Sequence, residues 1–167
     1  MDITVEMVKT LREQSGAGIM DCRGALVSCG GDIEKALETL KEKGLLKAQK
    51  KSERTTSQGL VEAYIHTAGR IGALIEVNCE TDFVARTDEF KSLAHCLAMQ
   101  VAAMDPQYVS EKDIPEGKDV VPEEACLMMQ PYIKDPTQTI KDVITETIAK
   151  TGENIRVSRF IRYELGN

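Results

Sequence analysis

Apolar side chains recur at helical spacing in three runs along the first 44 residues, and glycines separate the runs. The first run predicts a helix over residues 4–14, and the second predicts a helix that stops at Gly30. Asp32 suits the N-cap of a third helix, and Gly44 stands where a left-handed C-cap is expected. Residues 1–44 are therefore predicted to form a small three-helix module. Its apolar positions are Val5, Val8, Leu11, Cys22, Ala25, Leu26, Cys29, Ile33, Ala36, Leu37 and Leu40.

After a polar, basic stretch at residues 45–59, which we interpret as a linker, the apolar period changes to two. Alternation from Leu60 onward predicts a strand, residues 67–70 a hairpin turn, and residues 71–78 the returning strand. Alternating apolar positions also predict a last strand over residues 155–165. These three segments together predict an antiparallel sheet.

Helical spacing returns between the second and the last of these strands. A long helix is predicted around Phe90 to Ala102, followed by an irregular connection over residues 107–122. Pro122 to Met129 is expected to form a short helix, and Asp135 to Thr139 is expected to open another. The predicted class is therefore α+β, with the helical module followed by a core at residues 60–167 in which helices cover one sheet face.

The charge balance and composition exclude several classes of function. A net charge of −6, a pI near 5.1 and the lack of tryptophan disfavour a protein that binds nucleic acid. The net negative charge lies entirely after residue 55, since the first 55 residues are nearly neutral, and this asymmetry suggests two units with different roles. No apolar run is long enough to span a membrane, and the N-terminal residues do not resemble a signal peptide. We therefore expect a cytoplasmic protein.

The five cysteines and two histidines suggest little catalytic or metal-binding chemistry. They show no Cys-x-x-Cys pair and no metal-ligand spacing, so we expect reduced, mostly buried thiols and no metal site. A thiol enzyme using Cys79 with His66 is conceivable, but no catalytic motif supports it. His95 lies beside the apolar face of its helix and is expected to be a partly buried, hydrogen-bonded histidine. Neither an active site nor a cofactor is expected.

Two short segments differ from what folding alone requires. Ile19 and Met20 directly follow a glycine-containing loop, and adjacent helical residues cannot both face the core. They form either a hydrophobic staple of the turn or an exposed apolar anchor for a partner. Phe83 lies in a polar connection at residues 80–86, and it either folds back onto the sheet or serves as a binding element. The residue pattern leaves both alternatives open.

Four motifs resemble those of bacterial translation elongation factor Ts, in the family's order and over nearly the whole chain. The first extends from Val8 to Ala36 and contains Gly-Ala-Gly-Ile-Met-Asp at residues 16–21. The second, Gly72 to Arg86, is similar to the family's second signature almost residue for residue. The remaining two are Gln130 to Asp135 and Gly152 to Val157.

This resemblance implies a guanine-nucleotide exchange factor that promotes GDP release from elongation factor Tu without covalent chemistry. It implies that Phe83 enters the partner's G domain as a wedge between helices, and that Asp82 disturbs the surroundings of the partner's Mg²⁺. Ile19 stands where methionine is common in the family. The positions implied to contact elongation factor Tu are Leu11, Ile19, Met20, His66, Thr81, Asp82, Phe83 and Val84.

Two departures from the family pattern concern its architecture. Longer members contain two copies of the sheet subdomain and this chain contains one, so the resemblance implies a homodimer. The helical hairpin before the Gln-Pro motif is reduced to residues 107–129, so the family's coiled-coil protrusion is expected to be missing. An alternative function is a ubiquitin-like or nascent-chain-binding adaptor that acts through the N-terminal module alone. Neither function involves direct contact with nucleic acid or a membrane.

Overall fold

A computed structural model describes residues 3–166, and within that range it confirms the α+β class. Its helices are α1 Val5–Ser15, α2 Ile19–Ser28, α3 Ile33–Lys51, α4 Asp82–Ala85, α5 Asp88–Met104, α6 Pro122–Ala125 and α7 Ile140–Thr151. Its strands are β1 Gln58–Ile65, β2 Ile71–Cys79, β3 Pro131–Tyr132, β4 Asp135–Thr139 and β5 Ile155–Glu164. Both sheets, one of three strands and one of two, are antiparallel.

Helices α1 to α3 form the predicted module around a small apolar cluster. The Thr4 hydroxyl accepts the Met7 N–H (3.2 Å) at the start of α1, and the Asp32 carboxylate accepts the Lys35 N–H (3.1 Å) at the start of α3. Gly16 ends α1 at a φ of +64°, a left-handed conformation that glycine adopts without steric cost. The buried side chains of the cluster are Leu11, Cys22, Ala25, Leu26, Ala36 and Leu40.

The three-stranded sheet has the spatial order β1-β2-β5, which confirms the predicted strands and hairpin. Leu60 pairs with Val77 across β1 and β2, and Val77 pairs with Val157 across β2 and β5. Since successive side chains of a strand point to opposite faces, one face of the sheet is buried beneath α5 and α7. The largest buried side chains of this core are Ile75, Val77, Phe90, Leu97, Val101, Leu127 and Ile140.

The segment Asp135–Thr139 is a strand, so the expectation that it opens a helix is wrong. It pairs with Pro131–Tyr132 as β4 against β3, and α7 begins only at Ile140. The physical reason is a capping box, in which the Thr139 side chain accepts the Asp142 N–H and the Asp142 carboxylate accepts the Thr139 N–H. This cap starts the helix one residue after the strand ends.

The short helix expected from Pro122 to Met129 is also interrupted. Its α-helical part, α6, covers only Pro122–Ala125, and Cys126 is extended before a single 3₁₀ turn at Leu127–Met129. The connection that precedes it contains one further 3₁₀ turn, Glu111–Asp113. The region between α5 and β3 therefore lacks any long helix.

The sequence predicted that helix α3 ends at Gly44, and this prediction is wrong, because the helix continues to Lys51. A Cβ added at Gly44 would lie 3.7 Å from the Ala149 Cβ, so α3 passes close to α7 at this position. At its end, the Lys51 ammonium donates to the Gly152 carbonyl at 2.6 Å. The helix therefore extends from the N-terminal module onto the core, and much of the predicted linker is helical.

We expect Gly44→Ala to stabilise the protein by about 1 kcal/mol, because alanine favours the helix over glycine by roughly that amount. Its added methyl group meets Ala149 at an ordinary contact distance. Urea unfolding followed by circular dichroism measures the change. Gly24→Ala in α2, where the added methyl group meets no atom within 4 Å, is the matched control. Destabilisation by Gly44→Ala alone would contradict the 3.7 Å clearance from Ala149, because it would mean that α3 and α7 approach too closely to admit a methyl group.

All five cysteines are free thiols, four of them buried, as the sequence predicted. Within residues 3–166, no helix is both long and apolar enough to cross a membrane. The same residues contain no group of three or more histidine, cysteine or acidic side chains that could hold a metal ion.

Candidate protein-interaction site

Residues 80–86, here called the signature loop, connect β2 to α5 and contain the short helix α4. Thr81 caps α4, since its hydroxyl oxygen accepts the Val84 N–H at 3.4 Å. Ala85 is buried against the core, which directs the opposite side of α4 toward solvent. Phe83 lies on that side and is 77% exposed. The structure therefore excludes the alternative in which this phenylalanine folds back onto the sheet.

Asp82 precedes Phe83 and is about half exposed. Its carboxylate forms an ion pair with Arg86 one helical turn later, at 2.8 Å. Because both side chains are largely exposed, the pair contributes little to stability and Asp82 is free to exchange partners. The signature loop thus presents an aromatic ring and a carboxylate side by side at the surface.

Ile19 and Met20 lie in the first turn of α2, where both are exposed (56% and 75%). The inward face of this helix consists of Cys22, Ala25 and Leu26, and neither Ile19 nor Met20 packs against the module core. The structure therefore favours the exposed-anchor alternative for this pair. Large exposed apolar side chains that adjoin each other are typical of interaction sites.

Three of the other expected contact residues face the protein's own interior. Leu11 is completely buried in the helical module. Val84 is partly buried and packs against the main core, and Thr81 is partly buried by its capping role. In the free chain these three side chains support the exposed residues from behind.

His66 lies apart from the signature loop, at the far end of the sheet. Cys79 pairs with Gln58, whereas Ile65, next to His66, pairs with Gly72. Eight residues of strand separate the two positions, about 26 Å at 3.3 Å per residue. The structure therefore does not bring Cys79 and His66 together, and His66 instead lies 3.1 Å from the Tyr64 hydroxyl.

The Cys79 thiol is also poorly suited to nucleophilic chemistry. Burial and the nearby Glu153 carboxylate raise its pKa to about 11. A thiol with so high a pKa holds little of the reactive thiolate at neutral pH. This pKa and the distance from His66 argue against the thiol enzyme.

His95 forms a hydrogen bond with Glu62, with 3.0 Å between its Nδ1 and the carboxylate oxygen. Its ring also lies edge-on to Tyr64, with 5.8 Å between centroids. Its side chain is half exposed, so the predicted hydrogen bond is present and the burial is only partial. These contacts explain the histidine without a catalytic role.

The second face of the three-stranded sheet is uncovered and apolar at its centre. We call this surface the outer face. Ala63 pairs with Leu74 and Leu74 with Ile161 across it, so their side chains form one continuous row. Sheet faces that stay apolar and exposed are typical of interfaces between chains. The outer face comprises Val61, Ala63, Ile65, Leu74, Ile161 and Tyr163.

Sequence reasoning did not single out the residues that hold the signature loop in place. These are Glu80, Glu153 and Asn154, which link residues more than 70 positions apart through hydrogen bonds. Glu153 and Asn154 lie within the fourth motif, Gly152 to Val157, so the resemblance contained the signal. No periodicity in the sequence predicts these contacts.

Comparison with known proteins identifies the class and then the family. The fold and the exposed loop are those of a translation elongation factor, since the family model described as elongation factor TS matches residues 27–121 and 117–167. The chain therefore belongs to the elongation factor Ts family. This family assignment indicates a role in translation elongation.

Relatives that align with this chain over most of their own length support this assignment. The chain is 52% identical to elongation factor Ts of Thermotoga petrophila over 99% of this chain and 98% of the relative. It is 51% identical to elongation factor Ts of Carboxydothermus hydrogenoformans over 98% of this chain and 89% of the relative. Elongation factor Ts of Thermoanaerobacter sp. (strain X514) is 48% identical, over 98% of this chain and 95% of the relative.

These alignments contain a gap in this chain. Each spans 194 positions, 27 more than the 167 residues of this protein. The two segments matched by the family model meet at residues 117–121. That junction lies in the connection between α5 and α6, where the structure has no long helix.

Proposed function

We propose that this protein is the guanine-nucleotide exchange factor for elongation factor Tu and that it promotes GDP release during translation elongation. The observation that carries this proposal is the exposed Phe83 beside Asp82 on a loop that the core holds in place. The family assignment supports elongation factor Tu as the proposed partner. Because elongation factor Tu works in translation, the proposed site of action is the cytoplasm.

The proposed mechanism is linkage between two binding equilibria. GDP is held by backbone amides around its phosphates together with Mg²⁺, so displacement of those groups weakens nucleotide binding. If this protein binds the nucleotide-free conformation of its partner more tightly than the GDP-bound one, its binding lowers GDP affinity by the same factor. Phe83 is the wedge between partner helices, and Asp82 acts on the surroundings of the partner's Mg²⁺. No covalent step and no cofactor is required.

Ile19 and Met20 provide a second, apolar contact in this proposal. They are exposed on the first turn of α2, and methionine adapts its shape to a partner surface more readily than branched residues. Leu11 sits behind α2 in the module core and would determine how this turn is presented. His66, at the far end of the sheet, belongs to a separate contact if it reaches the same partner.

A homodimer completes the proposed assembly. The outer face of the sheet offers apolar side chains on all three strands, and a two-fold axis would pack it against the same face of a second chain. Two chains together would supply the two sheet subdomains that longer family members contain in one chain. The shortened connection at residues 107–129 leaves this outer face unaffected, because it lies beyond α5 on the other side of the sheet.

The proposal is tested by the release of fluorescent GDP from purified elongation factor Tu. We expect the full chain at micromolar concentration to accelerate release strongly over the spontaneous rate. The chain after thermal unfolding serves as the control for added protein. No acceleration by the folded protein would overturn the proposed function.

A further inference from the structure

The carboxylate of Glu153 is hydrogen-bonded to the signature loop. One oxygen accepts the backbone N–H groups of Glu80 (3.1 Å) and Thr81 (3.0 Å), and the other accepts the Thr81 hydroxyl (2.6 Å). The Thr81 hydroxyl oxygen in turn accepts the Val84 N–H that begins α4. Glu153 therefore determines both the backbone turn after β2 and the orientation of the cap from which α4 starts.

Asn154 makes a second set of contacts from the same position. Its backbone N–H donates to the Glu80 carboxylate (2.7 Å), and its side-chain amide donates to the carbonyls of Ser52 (3.3 Å) and Arg54 (2.8 Å). Asn154 is 2% exposed, so water does not replace these partners. Residues 153 and 154 thus bind the signature loop on one side and the segment that follows α3 on the other.

Helix α3 extends this connection to the other exposed segment. The Lys51 ammonium donates to the Gly152 carbonyl (2.6 Å), and Lys47, one helical turn earlier, forms an ion pair with Asp21 (3.1 Å). Asp21 directly follows Ile19 and Met20 in the first turn of α2. A continuous series of contacts therefore joins the two exposed segments through the end of α7.

We propose that Glu153 is a positioning residue for nucleotide exchange, because it holds the signature loop ready for contact and, with Asn154, fixes that loop relative to the N-terminal module. The inference rests on the proposed function for what the loop contacts, whereas the holding of the loop is a property of the free chain. A loop that is ordered before binding loses less conformational entropy when it binds. If the signature loop loses its contacts with Glu153, association with the partner should weaken, whereas the rate of GDP release within the complex should remain nearly unchanged.

Three substitutions of Glu153 separate geometry from charge. Glu153→Ala removes every acceptor. Glu153→Gln keeps the length, since its amide oxygen can accept the two backbone N–H groups and its NH₂ can donate to the Thr81 hydroxyl oxygen. Glu153→Asp keeps the charge but is one methylene too short to make the same contacts. Positioning predicts that Gln restores function and Asp does not, and a purely electrostatic role predicts the reverse.

We expect Glu153→Ala to raise the concentration needed for half-maximal acceleration of GDP release about tenfold, with the saturating rate within about twofold of the original. Glu116→Ala, which removes the same charge from an exposed position, should leave both quantities unchanged. Unfolding curves of each variant give the folded fraction at the assay temperature. A reduced saturating rate with an unchanged half-maximal concentration would overturn the positioning role.

A second measurement needs no partner. The chain contains no tryptophan, so Phe83→Trp introduces a single indole into the signature loop. Added Glu153→Ala or Glu153→Asp should increase nanosecond motion of that indole, measured by time-resolved fluorescence anisotropy, and Glu153→Gln should not. Unchanged anisotropy with Glu153→Ala overturns the inference even if the protein is an active exchange factor. If Glu153→Ala loosens the loop but the original protein does not accelerate GDP release, the proposed function is overturned. The finding that Glu153 holds the loop in place then still stands.

Discussion

Phe83→Ala is expected to reduce the acceleration of GDP release about 100-fold while the free energy of unfolding changes by less than about 0.5 kcal/mol. Truncation of a central aromatic residue in an interface typically costs about 2–4 kcal/mol of binding free energy, and a 100-fold reduction corresponds to about 2.7 kcal/mol, within this range. Stability is spared because the ring is 77% exposed and supports no core contact. Fluorescent-GDP release and urea unfolding measure the two quantities on the same preparation.

Val121→Ala is the matched control for this substitution, because Val121 is also an exposed apolar residue (55%) but lies beside α6. It should leave exchange unchanged. Full activity of Phe83→Ala would contradict the wedge. If that variant remained active while Met20→Asp abolished all binding, the result would favour the adaptor that acts through the N-terminal module alone.

Leu74→Arg is expected to convert a homodimer into a monomer and to lower exchange activity at least tenfold. Leu74 lies on the central strand of the outer face, between Ala63 and Ile161, so a charge there would be buried without a partner in a two-fold interface. In the monomer the same residue is 46% exposed, so the fold should tolerate arginine. Analytical ultracentrifugation at micromolar concentration measures the association state.

Val121→Arg is the corresponding control, since it adds the same charge at an exposed apolar position outside the outer face. Circular dichroism should show the same secondary structure for both variants. A monomeric original protein, or a Leu74→Arg variant that remains dimeric, would contradict the use of the outer face. A monomer with full exchange activity would instead show that one sheet subdomain is sufficient.

The elements that the sequence predicted well are those whose signals are local. Alternation along Leu60 to Ile65 and along the last strand predicted the sheet, because each strand has one buried face. Asp32 caps α3 as expected, and the predicted glycine break after the first helix lies at Gly16, because caps and breaks depend on a few neighbouring residues. The N-terminal module and the covering helix α5 follow from the same kind of pattern.

The errors arose where contacts that leave no trace in the apolar periodicity decide the local structure. Helix α3 continues through Gly44 because that residue packs beside Ala149, more than 100 positions later, and the cost of one glycine is small. Asp135–Thr139 is a strand because Pro131–Tyr132 lies next to it, and the capping box at Thr139 marked the true start of α7. Apolar periodicity reports neither the distant Ala149 nor the pairing of the neighbouring strand.

The candidate site divides in the same way. The Gly-Ile-Met and Asp-Phe motifs could be found from sequence, but whether Phe83 and Met20 face solvent depends on the finished core. Leu11 illustrates the opposite outcome, since it is completely buried. The contacts of Glu153 and Asn154 depend entirely on the tertiary fold and could only be seen in it.

The uninterrupted α3 has a mechanical consequence. A helix of 19 residues is about 28 Å long, and it passes from the N-terminal module to the base of the signature loop without a hinge. The apolar pair on α2 and the aromatic ring on α4 are therefore held at a fixed distance from each other. In the proposed complex, these two segments can bind together only to a partner whose two contact surfaces lie at the matching separation. If the partner changes this separation when its nucleotide leaves, the fixed spacing alone would discriminate between its nucleotide-bound and nucleotide-free states. This discrimination would not depend on any single side-chain contact.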